Sequence, residues 1–308
     1  MKRKWIRRVS WILLTPVLLF VILMILLYIP PVQNLLRREV TAYASKATGM
    51  QIQVERIDLR FPLNLLVRGV EVIQQPDTLL SLESLNVRVQ AWPLVKGKVE
   101  VDEVTLSQVA FNSANLIEGM KIKGVLGRFF LQSHGVDLSN ELAVINQTEL
   151  SDTHVQMLMN DTTTTPKDTT ASAPVNWKVD LHKLKLKNVS FSMQLPADSM
   201  RMAAHIGEAF INDAQADLKN QFYELKQFLL SGSSANYDTG AAKPGEGFDA
   251  SHIAVRDIRI GLDSLLYKGR DMNAVIREFS MNERSGLSIT SLTGRAFSND
   301  SIIRIPGI

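Results

Sequence analysis

A mainly β fold, entered through a membrane-spanning helix, is what three observations predict for this chain. Five basic residues, Lys2, Arg3, Lys4, Arg7 and Arg8, precede a stretch from Val9 to Leu36 without a single Asp, Glu, Lys, Arg or His. After Gly49 the apolar residues recur at every second position. Few amphipathic helical patterns follow that could cover the apolar face those strands would present.

The run from Trp11 to Ile29 is almost wholly apolar. About 20 helical residues cross the ~30 Å hydrocarbon core of a bilayer. Residues 1–30 therefore read as a basic cytoplasmic tip and a transmembrane anchor, with the five bases setting its orientation. A cleaved signal would have a centre of roughly 7 to 15 apolar residues and a small-x-small cleavage site. Here Tyr28, Ile29, Pro30 and Pro31 follow instead, so the anchor is expected to be retained and the rest delivered across the membrane.

Residues 31–49 follow helical spacing through Val32, Leu35, Leu36, Val40, Tyr43, Ala44 and Ala47, and Gly49 is the natural stop. The period then changes to two. Ile52 and Val54 alternate with polar residues, the phase slips by one, and Ile57, Leu59, Phe61, Leu63, Leu65 and Val67 take over. The pattern returns in Leu85, Val87 and Val89, in Val99 and Val101, in Val104 and Leu106, in Leu184 and Leu186, and in Ile253, Val255, Ile258, Ile260 and Leu262. Such alternation marks strands with one apolar and one polar face. The slips at Glu55–Arg56, Asp102–Glu103 and Arg256–Asp257 read as bulges or short bends.

Leu65 to Val72 (LLVRGVEV), Val104 to Phe111 (VTLSQVAF) and Leu184 to Phe191 (LKLKNVSF) share one pattern, apolar-x-apolar-x-(Gly, Gln or Asn)-Val-x-(Val or Phe). A fainter copy begins at Thr148 (TELSDTHV). Repetition of this kind predicts an elongated sheet whose units add edge to edge. The first sheet segment is expected over 50–159, a Thr/Pro-rich flexible loop over 160–175, and a second segment over 176–308 interrupted by a flexible loop at 231–247. Ala203 to Leu230 fits strand or helix, with strands preferred.

The small positive charge, +3, is exceeded by the five N-terminal bases, which argues against nucleic acid as a partner. The absence of Cys removes disulfides, thiol nucleophiles and thiolate metal sites. The histidines, His134, His154, His182, His205 and His252, are dispersed with no metal-ligand spacing. Neither a nucleophile elbow nor a phosphate-binding glycine loop is present. Nothing recommends an enzyme, a cofactor or a metal, and no residue is assigned a catalytic role.

A half-apolar sheet must bury that face against another sheet, against helices or against a ligand. Two solutions stay open: a sandwich or solenoid with a side-chain core, or an open trough whose wall takes acyl chains. For the trough, Ile57, Leu59, Phe61, Leu85, Val87, Val89, Val101, Leu106, Leu184, Leu186, Ile258 and Ile260 are the candidate lining.

The succession GMQIQVERIDLRFPLNLLVRGVEV and LLSLESLNVRVQAWPLVKGKVEVDEVTLSQVAFN, after a basic apolar N-terminus, resembles the N-terminal region of the AsmA-like/TamB family. The carrying features are Gly69 to Val72, Leu85 to Val89, Trp92 to Val95 and Gly97 to Val99, with later likeness in WKVDLHKLKLKNVSF and HIAVRDIRIGLDSL. The resemblance implies an elongated, curled, taco-like antiparallel sheet with an apolar groove, of the bridge-like lipid-transfer kind. It further implies a single-pass inner-membrane protein with its bulk in the periplasm, carrying phospholipid towards the outer membrane. The alternative is a non-catalytic scaffold for outer-membrane protein assembly, through a BamA-like partner docked by a C-terminal region. Family members are far longer, and Ile308 falls in mid-pattern, so the chain is expected to be a fragment or a short relative.

Overall fold

The computed structural model describes residues 28–61, 63–90, 92–93, 100–137, 140–159, 176–240, 243–299 and 302–304. Helix α1 (Pro30–Thr48) comes first, entered through Pro30 and Pro31 and closed by Gly49 in the left-handed conformation, φ 70°. Then come β1 (Gln51–Arg60), β2 (Asn64–Gln74), β3 (Asp77–Val89), β4 (Val101–Asn112), β5 (Met120–Asp137) and β6 (Leu142–Met159). They are followed by β7 (Lys178–Leu195), β8 (Met200–Asp217), β9 (Phe222–Asp238), β10 (His252–Lys268), β11 (Asp271–Glu283), β12 (Ser288–Ser298) and the two-residue β13 (Ile303–Arg304).

All thirteen strands form one sheet in strict chain order. Each hydrogen-bonds only to its sequence neighbours, and all the pairs but one are antiparallel, so a connection at the same end of the sheet serves everywhere except between β6 and β7. Substantial packing is confined to adjacent strands and to α1 on β1. No second layer therefore covers either face among the described residues. The sheet is open, and of the two solutions left by the sequence the sandwich is set aside.

Three expectations are corrected. Among the described residues no helix is long and apolar enough to cross a membrane. In α1 the apolar side chains are interleaved with Arg37, Arg38, Glu39 and Lys46. Among the described residues the fold is thus a mainly β open sheet with one edge helix, without the membrane-spanning helix that was expected. Of the expected tip and anchor, residues 1–30, all but 28–30 lie outside the described residues, the orienting bases Lys2, Arg3, Lys4, Arg7 and Arg8 among them. The sheet is also not wholly antiparallel: β6 and β7 pair parallel, from Leu142 beside Lys178 to Leu158 beside Gln194. Met159 and Lys178 consequently stand at opposite ends of that pair, joined through the Thr/Pro-rich segment, which lies outside the described residues. Finally, residues 231–238 are the second half of β9, so the irregular connection begins at Thr239. Ser and Gly there suit a strand that needs a left-handed residue, which composition alone reads as a loop.

Two of the phase slips, at Glu55–Arg56 and Arg256–Asp257, have a common origin, while the third, at Asp102–Glu103, is a separate register shift opposite Arg88 and Val89. Gly69, Gln108, Asp152, Asn188, Gly232 and Asp257 are all left-handed, with φ between 50° and 59°. The registers on either side of them align these residues, with Glu55, Glu83, Gly127 and Gly207, along one transverse line from β1 to β10. A left-handed residue adds one step to the alternation, so apolar residues three apart across the line remain on one face. The outer face shows the converse, consecutive exposed residues: Glu55 and Arg56, Lys187 and Asn188, Arg256 and Asp257. The repeated sequence pattern is this crease, because its fifth position is Gly69, Gln108, Asp152 or Asn188. Bulged residues bend a strand and strengthen its twist, so the line is where the sheet bends.

A candidate apolar groove

On one side of the crease a single row of residues pairs in unbroken succession from β1 to β12. It runs Ile57, Val67, Leu85, Leu106, Phe129, Leu150, Leu186, Ala209, Leu230, Ile260, Phe279, Leu292. Directly paired residues share a face and sit about 5 Å apart, so the side chains form a continuous apolar ribbon. At about 4.8 Å per strand, the row is roughly 50 Å long. Two residues along each strand, or three in β11 at a register shift, a second row runs Leu59, Leu65, Val87, Val104, Leu131, Thr148, Leu184, Ile211, Phe228, Leu262, Ile276, Gly294. A third, shorter row continues through Ile145, Leu181, Ala214, Leu225, Leu265, Ala274 and Ala296. Over β7 to β10 the inner face dips into a hollow of about 190 Å³ between Val179, Leu181, Ala214, Tyr223, Leu225 and Leu265.

No charged side chain interrupts the first two rows. Their members are mostly half-buried, and Ala209 alone in the first row is buried, at 3% exposure. The other face is treated differently. Arg56, Arg68, Ser84, Ser107, Arg128, Ser151, Lys187 and Glu208 form an outward polar row. Outward aromatic rings are screened by cations: Arg128 lies 5.8 Å from the Phe130 ring centroid and Lys185 lies 5.6 Å from that of Phe210. Ion pairs such as Arg277 with Asp263, 3.1 Å, also sit on exposed ground and stabilise little.

The structure brings the sequence-predicted lining together, with one exception. Ile57, Leu85, Leu106, Leu186 and Ile260 are in the first row, and Leu59, Val87 and Leu184 in the second. Val89 pairs with Val101 one step beyond, and Ile258 pairs with Ser233 beside the crease. Phe61 does not belong, because it falls in the β1–β2 turn and is 80% exposed. Its ring instead approaches that of Tyr28, with centroids 6.5 Å apart. Phe129, Leu131, Leu150, Ile211, Phe228 and Leu230 were missed. Their strands alternate as the others do, but the crease splits each pattern into halves too short to recognise.

Around the groove the titratable residues stay in separate local pairs. His182 Nδ1 lies 3.1 Å from Asp213, His205 Nδ1 3.0 Å from Ser190 Oγ, and His252 Nδ1 2.9 Å from Asp249. Among the described residues no three His, Asp or Glu side chains cluster as metal ligands would. The hydrogen bond from His182 holds the Asp213 carboxyl below the usual range. Backbone N–H donation from Ser251, then from Gly245, does the same for Asp249. No family model matches the chain, and no curated protein matches it.

Proposed function

We propose that this chain binds phospholipid through its acyl chains and lets the lipid slide along the apolar rows, a non-catalytic conduit of the bacterial envelope working towards the outer membrane. The observation that carries the reading is the first row: twelve apolar positions in register, on a face that nothing covers among the described residues. Each methylene buried is worth about 0.8 kcal/mol, so two acyl chains supply ample affinity. Neighbouring strands offer near-identical surroundings, and the barrier to moving from one to the next is correspondingly low. Headgroups would stay in water at the open side. The likeness of Gly69 to Val72 and Leu85 to Val89 to the AsmA-like pattern supports the same reading.

Photocrosslinking tests it directly. A photoreactive amino acid at Leu186, in the row, should capture phospholipid in cells, and one at Lys187, on the outer face, should not. Equal capture at the two positions, or none at either, overturns the proposal and favours a scaffold whose apolar face is met by protein.

A further inference from the structure

Helix α1 meets the sheet through polar side chains. Gln33, Arg37 and Ser45, spaced by turns of the helix, face the protein and bond the free edge of β1. Gln33 Nε2 donates to Leu59 O at 3.0 Å, Arg37 Nη1 donates to Glu55 O at 2.6 Å, and Ser45 Oγ accepts from Ile52 N at 3.0 Å. The polar stripe is consumed in blunting an edge strand. A flanking apolar stripe, Ile29, Leu36, Val40 and Tyr43, spaced seven, four and three residues apart, is left uncovered at 40%, 38%, 53% and 77% exposure.

The same end of the molecule carries exposed aromatics. The helix runs antiparallel to β1, which sets Tyr28 and Ile29 beside the β1–β2 turn, where the Tyr28 and Phe61 rings meet. Val89 N donates to Leu63 O at 3.0 Å, and so brings the exit of β3, with Trp92, to this corner. Phe61 is 80% and Trp92 72% exposed. Arg38, Lys46 and Arg60 are exposed around the patch, with the acid Glu39 among them. Apolar groups rimmed by bases, with Trp and Tyr at the margin, are the composition that the headgroup zone of a bilayer selects. The groove is continuous with this patch, since both long rows begin in β1, at Ile57 and Leu59.

We infer that the outer face of α1, with Phe61 and Trp92, seats on the interfacial zone of a phospholipid bilayer, so that the β1 mouth of the groove opens against the membrane. The inference builds on the lipid-binding reading of the groove and names the surface from which lipid enters.

The chain has no cysteine, so single cysteines carrying an environment-sensitive fluorophore report cleanly. The full chain is reconstituted into vesicles of zwitterionic and anionic phospholipid, labelled in turn at Tyr43→Cys, Phe61→Cys, Trp92→Cys, Leu106→Cys in the groove, and Phe248→Cys. Phe248 is 62% exposed in the β9–β10 connection, beyond the other end of the strands, and serves as the aqueous control. Probes at 43, 61 and 92 should be shielded severalfold from iodide relative to 248, and quenched by spin-labelled lipid. Iodide quenching equal to that at 248 overturns the inference. So does shielding from both quenchers, which means that another protein surface, or the chain's own N-terminal residues, covers the patch. If these probes fail while 106 meets lipid, the seat falls and the groove stands; the reverse result removes the groove.

Discussion

Gly207 and Gly232 face each other across β8 and β9 so closely that a Cβ on Gly207 would stand 2.5 Å from the Gly232 carbonyl oxygen. Gly232 is left-handed, φ 59°, but its own Cβ would meet nothing nearer than 3.9 Å. The two glycines therefore serve different needs, close approach at one and conformation at the other. Gly207→Ala must push backbone against backbone and should cost about 3 kcal/mol, at the severe end for a point change. Gly232→Ala has room and should cost about 1 kcal/mol for its conformation alone. Urea titration of the two variants checks the order; equal losses would refute this division of roles.

Gln108 occupies the same crease in β4, left-handed at φ 50° although it is not a glycine. Its side chain is exposed, so replacement disturbs little packing. Gln108→Gly should raise stability by about 1 kcal/mol through relief of that conformation. Ser107→Gly, one residue away in ordinary extended backbone, should lower it. Thermal melts of both variants decide the matter.

The crease also explains what could and could not be read from the sequence. Strands β1 to β4 were legible because their apolar halves are long, as in Leu85, Val87 and Val89. In β9 the halves, Phe228–Leu230 and Ala235–Tyr237, flank Ser231 to Ser234, and glycine and serine at a bend look like a linker. The parallel pairing of β6 and β7 had no local signature, since the period of a strand does not encode its neighbour's direction. Phe61 sits in an alternation that runs unbroken from Ile57 to Val67, because nothing in the period marks where the turn between β1 and β2 falls. Direct pairing of Leu85 with Leu106, and of Leu106 with Phe129, is a long-range fact that only the register supplies.

Arg37 is the strongest tie between helix and sheet, reaching Glu55 O at 2.6 Å and Val54 O at 3.5 Å. Arg37→Ala frees those carbonyls and should loosen α1 from β1 by about 1 kcal/mol. Hydrogen exchange should quicken in Gln51–Arg60 and remain unchanged in β7 to β9. An exposed edge strand also invites pairing between molecules, so the variant should aggregate sooner on concentration.

Acid should open one particular corner. Asp249 accepts from Ser251 N at 2.9 Å, and the buried Glu283 accepts from Ser285 N at 2.6 Å and from Ala254 N at 3.3 Å. These bonds, those from Ser251 and Ser285 foremost, hold both carboxyls below their ordinary values. A carboxyl lowered on folding contributes stability that is complete above its unfolded value, about 4, and is lost as the pH falls through its folded value. Below about pH 4 the β9–β10 connection and the β11–β12 turn should become protease-sensitive before the central strands do. Cleavage that begins in the central strands would contradict this assignment.

Val87 and Leu106 lie in adjacent rows of the groove, each at the centre of an apolar neighbourhood: Val87 pairs with Leu65 and Val104, Leu106 with Leu85 and Phe129. Both side chains are half-buried and face the open side, so a carboxylate at either site retains access to water and the sheet should still form. An acyl chain sliding along the row would have to displace that water and desolvate the charge. That costs several kcal/mol, far more than the apolar burial that a single strand returns. Val87→Glu with Leu106→Glu should therefore abolish lipid passage while leaving the far-ultraviolet dichroism unchanged. Ser107→Glu, which places the same charge on the outward row beside Ser84, should have no effect on passage. Transfer of a fluorescent phospholipid between donor and acceptor vesicles distinguishes them, and unimpaired transfer by the folded double variant would mean that lipid does not travel along these rows.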